Sequence, residues 1–118
     1  MPLVELFKNF RDRYMRSSIE KLDFPEFPPD EKRRYQIVFS GIVQGVGFRY
    51  EAWLIAEKLG LTGFAKNLPN GDVQMEVQGP RNKVFHLIHC LESIKRIQIE
   101  NKVIEELPLK EEKEFTTS

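Results

Sequence analysis

From Tyr35 the chain alternates. Tyr35, Ile37 and Phe39 fall between Gln36, Val38 and Ser40, a period of two that predicts a strand running into a glycine-rich loop near Gly41. Phe48, Ala52, Ile55, Ala56 and Leu59 then recur every three or four residues. Gly60 follows where a helix C-terminus favours a left-handed residue, so the spacing predicts a helix over Phe48–Leu59. Thr62–Lys66 and Asp72–Gln78 read as two strands joined by the turn Asn67–Gly71, with Val73, Met75 and Val77 alternating against Asp72, Gln74, Glu76 and Gln78. Pro80 suits the first turn of a second helix whose Val84, Leu87, Ile88, Leu91 and Ile94 share a face. A strand over Ile97–Glu105 and a short last one over Glu111–Phe115 complete the order: strand, helix, strand, strand, helix, strand, strand. That order predicts an α+β fold, a ferredoxin-like split βαβ sandwich in which an antiparallel sheet carries two helices on one face.

The first 34 residues have a different pattern. Leu3, Phe7, Phe10 and Tyr14 fall at helical spacing, with Met15, Ile19 and Leu22 on a neighbouring stripe and Glu5, Lys8, Asp12, Arg13 and Arg16 on other faces. This predicts an amphipathic helix ending near Leu22, because Pro25, Pro28 and Pro29 disfavour helix at themselves and just before. Residues 1–34 are therefore expected to form an N-terminal helix and Pro-rich linker, packing on the body or serving a homodimer.

Composition narrows the function. With 118 residues the chain can bury one core with appendages and is too short for two ordinary domains. Lys plus Arg and Asp plus Glu both total 18, so no broad field draws the protein to nucleic acid or an anionic membrane, and any anion affinity must be local. One cysteine, Cys90, permits neither an internal disulfide nor a Cys-rich zinc site. No apolar run suits a bilayer and no secretory signal opens the chain, so a soluble, cytoplasmic protein is expected.

The candidate chemistry lies in Gly41–Arg49, GIVQGVGFR. A phosphate oxygen needs several N–H donors converging at about 2.9 Å, and backbone curls that tightly only where side chains do not obstruct it. Gly41, Gly45 and Gly47 allow such a curl, and the start of the Phe48–Leu59 helix aims its unpaired N–H groups and positive dipole end at the same point. Arg49 offers a planar, permanently charged fork for two phosphate oxygens. Neither the Walker pattern nor the dinucleotide fingerprint fits this spacing. The alternative is that the glycines only shape a turn while Arg49 pairs with a surface carboxylate. Asn67 ends a strand before a tight turn and reads either as a turn former or as a carboxamide that orients a water without ionising. So mild a helper suffices for an acyl phosphate, whose carboxylate leaving group has a pKa of about 4.

These residues resemble the acylphosphatase family over about Tyr35–Phe115. One family pattern is matched by Gly41, Val43, Gln44, Gly45, Val46, Phe48 and Arg49, and a second by Gly63, Phe64, Ala65, Lys66, Asn67, Gly71, Val73 and Gly79. The resemblance implies a ferredoxin-like acylphosphatase domain over 35–118. It implies Arg49 and Asn67 as catalytic residues, and the amides of Gln44, Gly45, Val46, Gly47 and Phe48, with Arg49, as the phosphate cradle. It implies metal-independent hydrolysis of a small acyl phosphate to carboxylate and phosphate, with no cofactor, and a site that phosphate or sulfate could occupy. Similar domains also occur within larger hydrogenase-maturation proteins. A non-catalytic phosphate-sensing or protein-assembly module of the same fold is the alternative.

Other features carry less chemistry. His86, His89 and Cys90 lie within five residues, yet no further thiol or histidine completes a metal set, so they read as residues at the core edge. Trp53 and the tyrosines read as packing. The acidic tail, Glu105, Glu106, Glu111, Glu112 and Glu114, reads as a solvated rim with Pro108 marking a turn. RNA recognition on the open sheet face is disfavoured, since Asp72, Gln74, Glu76 and Gln78 would meet a phosphate backbone there.

Overall fold

Tyr35, Ile37 and Phe39 stand opposite Val77, Met75 and Val73 in antiparallel register, and all six side chains are buried. In the computed structural model, which describes residues 24–118, these rows form the floor of one apolar core. The elements are β1 (Lys32–Ile42), α1 (Phe48–Leu59), β2 (Thr62–Asn67), β3 (Val73–Pro80), α2 (Arg81–Ser93), β4 (Gln98–Leu107) and β5 (Phe115–Thr117). The sheet order is β4-β1-β3-β2-β5. Ile55, Ala56 and Leu59 of α1 and Val84, Leu87 and Leu91 of α2 close the core from one side. This is the ferredoxin-like sandwich expected from the element order. The N-terminal helix read over Leu3–Leu22, and the homodimer it would serve, lie outside the described residues.

Four strands pair antiparallel, while β5 runs parallel to β2. The cause is geometric. β4 finishes at the end of the sheet where β1 starts, so a chain turning back from it can re-enter only in the direction of β1 and β2. Residues 108–114 make that crossing over the face opposite the helices. Glu112 bonds Arg34 of β1, and Gln78 of β3 exchanges hydrogen bonds with the main chain of Lys110, at 2.7 and 2.9 Å. The acidic tail is thus not all solvated rim: Glu112 joins the buried Arg34, and Glu106 pairs with Arg33.

The linker is built into the helical layer. The rings of Phe24 and Phe27 meet His86 edge-on at 5.7 and 5.2 Å. Helix α2 has Pro80 at its N-cap and no side-chain cap hydrogen bond of its own kind, and Asp30 fills that role, accepting from the Asn82 amide at 2.9 Å. The Glu31 carbonyl accepts from the Arg81 amide at 2.8 Å.

Candidate functional site

Phe39 and Phe48 decide where the glycine loop sits. Their rings pack at 4.9 Å, which sets the first residue of α1 over the finishing end of β1. The same sheet row runs Phe39, Val73, Asn67, so Asn67 shares the helix-side face with two buried residues and lies at the end of the sheet where α1 begins.

Between β1 and α1 the chain curls through Val43–Gly47, with Val43 buried and Gly45 and Gly47 at φ of 73° and 80°. Those left-handed values favour glycine, as expected for a nest of inward amides. Gly47 is the N-cap residue, and its carbonyl accepts from the Glu51 amide at 3.0 Å. Among the described residues, none accepts a hydrogen bond from the amides of Gln44, Gly45, Val46, Gly47 or Phe48. Together with the start of the α1 dipole, those donors favour an anion.

The two sequence segments are joined by the Gln44 side chain. Its Nε2 donates to the carbonyls of Leu68 and Asp72, each at 2.8 Å. The turn is itself tied by Leu68 N to Asp72 O at 2.8 Å and by Asn70 with Asp72. Gln44 therefore contributes a side chain as well as an amide. Asn67 is exposed at the edge of this assembly.

Arg49 lies one residue into α1, and its Nη1 donates to the main-chain oxygen of Ser118. Ser118 in turn donates its amide to Ala65 O at 3.3 Å, two residues before Asn67 on β2. The chain beyond β5 thus brings Arg49 to the strand end that carries Asn67. All the expected site residues gather at one end of the sheet.

Two further residues were missed by sequence reasoning. Arg96, in the turn before β4, donates from Nε to Val46 O at 2.7 Å and from Nη2 to Glu51 Oε1 at 2.6 Å. Glu51 is fully buried. A signal existed: Glu51 falls three after Phe48 and four before Ile55, on the apolar stripe of α1, and a carboxylate there requires a cationic partner. Nothing local pointed to Arg96.

The remaining candidates lie elsewhere. His86 and His89 are on α2 with rings 6.5 Å apart, and burial pushes the Cys90 thiol up. Among the described residues no cluster of three or more His, Cys, Asp or Glu could hold a metal ion, and no helix is long and apolar enough to cross a membrane.

The family model described as acylphosphatase matches residues 35–117. An acylphosphatase of Clostridium beijerinckii is 54% identical over 55 residues, which cover 47% of this chain and 61% of that protein. The chain spans less than two thirds of the length of such relatives. Among solved structures, an acylphosphatase from Coxiella burnetii is 32% identical with a TM-score of 0.68, over 74% of this chain and 93% of that one. Full-length HypF in its phosphate- and nucleotide-bound form is 27% identical with a TM-score of 0.67, over 79% of this chain and 12% of that one.

Proposed function

Because this chain belongs to the acylphosphatase family, we propose that it hydrolyses the carboxyl-phosphate bond of small acyl phosphates, with Arg49 and Asn67 as catalytic residues and 35–118 as the catalytic unit. The observation that carries the reading is the Gln44 bridge, which holds the donor-rich loop against the turn that Asn67 opens. The phosphoryl group sits on the amides of Gln44, Gly45, Val46, Gly47 and Phe48, and the Arg49 fork takes two of its oxygens. Arg49 then exchanges its Ser118 contact for, or shares it with, the substrate. The Asn67 carboxamide accepts from a water and aims it at phosphorus opposite the acyl oxygen. As the P–O bond to the acyl group breaks, the amides and Arg49 stabilise charge on the equatorial oxygens. The carboxylate leaves without a general acid, and the water's proton passes to the substrate's own phosphate. No step uses a metal or a cofactor.

The test is phosphate release from benzoyl phosphate by the full chain and by Arg49→Ala. Loss of a positioned charged donor is expected to lower kcat at least about 10²-fold. Equal rates for the two proteins would refute the reading, and phosphate binding without turnover would leave a sensor.

A further inference from the structure

The Val46–Gly47 and Gly47–Phe48 peptides are both held by their carbonyls, the first by the Arg96 side chain and the second by the main-chain amide of Glu51, the bond that opens α1. Arg96 Nε bonds Val46 O at 2.7 Å, and the Glu51 amide bonds Gly47 O at 3.0 Å. The chain has no cis peptide among its described residues, and in a trans peptide the N–H points away from the C=O of the preceding residue. Pinning the two carbonyls outward therefore turns the Gly47 and Phe48 amides toward the opposite side, where the anion would bind. The Glu51 carboxylate closes the clamp by holding Arg96 Nη2 at 2.6 Å.

We infer that Arg96, held by the Glu51 carboxylate, is a positioning residue of the phosphate loop, a clamp that fixes the direction of the Gly47 amide beside the Phe48 amide that α1 itself orients. The inference rests on the proposed function, since it assigns those amides to a phosphoryl group. Two observations mark the pair as more than a surface contact. Glu51 is fully buried while Arg96 is 39% exposed, so the pair trades a desolvated carboxylate for a held loop. Glu51 Oε2 is also buried with no hydrogen-bond partner among the described residues, so the Arg96 guanidinium is what offsets this carboxylate. Arg96 touches no reacting atom, because its fork is spent on the outer side of the loop.

The experiment is a titration of the full chain with inorganic phosphate, read from backbone amide spectra, alongside benzoyl phosphate kinetics and thermal melting. In the wild type the Gly47 and Phe48 amides should shift strongly on binding. In Arg96→Gln, phosphate affinity should fall about tenfold and the Gly47 shift should shrink, and melting should fall as well, because the buried Glu51 loses its cation. Arg96→Lys keeps the charge beside Glu51, and hence the fold, but cannot bond Val46 and Glu51 together with one fork. It should remain impaired. Wild-type affinity and shifts in Arg96→Gln would overturn the clamp while leaving the loop assignment standing. So would full recovery in Arg96→Lys, which would mean that charge alone acts. If no amide from Gln44 to Phe48 moved in the wild type, the loop assignment itself would fall and the clamp with it.

Discussion

Glu112 reaches across the open face of the sheet to Arg34, its Oε1 accepting from Nη1 at 2.8 Å, and so ties the segment before β5 to the third residue of β1. Arg34 is 1% exposed, and Glu76 Oε1 accepts from its Nε and Nη2 at 3.0 and 2.9 Å. These contacts, the Glu112 hydrogen bond first, raise the guanidinium above its ordinary range and keep it charged. Arg34→Ala should destabilise the domain by about 3 kcal/mol, the low end for a broken buried pair because both glutamates keep a wet edge. Urea unfolding measures this, and a loss below about 1 kcal/mol would assign the strap no stabilising role.

The Gln44 bridge predicts a loss of function without a loss of fold. Gln44→Ala frees the carbonyls of Leu68 and Asp72 to water at a half-exposed site, so melting should hardly change while kcat/KM for benzoyl phosphate falls about tenfold. Gln44→Glu should be worse, because a carboxylate would face two carbonyls and repel the substrate.

Asn67→Ala should lower kcat by about 10² to 10³, the range for one positioned polar group, with the fold intact because Asn67 is exposed and no described residue bonds its side chain. Asn67→Asp keeps the shape and adds a negative charge beside a dianion, so KM should rise as well. Activity within threefold of wild type in Asn67→Ala would remove Asn67 from the mechanism.

Asp30 gives the stability a pH dependence. The Glu31 amide first, then the Asn82 amide and Arg81, hold its carboxyl below the ordinary range against an opposing desolvation. A carboxyl lowered in the folded state contributes fully above its unfolded pKa of about 3.9 and loses that contribution as pH falls through the lower folded value. Asp30→Asn should therefore reduce stability at neutral pH and flatten the decline below about pH 4. Urea midpoints from pH 2 to 7 check both, and parallel curves for the two proteins would exclude the cap from acid unfolding.

The helix over Phe48–Leu59 was legible to the residue, because Phe48, Ala52, Ile55 and Leu59 mark its buried stripe and Gly60 caps it at φ 72°. Strand β1 was less so. It begins at Lys32, where the residues are charged and show no alternation, because Lys32–Arg34 gain their order from pairing with Gln78, Gly79 and Pro80. Arg34 illustrates why: a cation on a face expected to be wet carries no local sign that a distant glutamate will cover it.

The candidate site divides in the same way. The glycines of the loop, the helix that follows it, and Arg49 and Asn67 at their separation are local facts, since φ preference and apolar spacing act over a few residues. That the loop meets the turn through Gln44, that Ser118 receives Arg49, and that Arg96 clamps Val46 against a buried Glu51 depend on partners 24 to 69 positions apart. Local propensity sets which segments can curl or coil, whereas the pairing of side chains across the sheet exists only once burial of Phe39, Phe48 and Val73 has closed the core and removed the competing water.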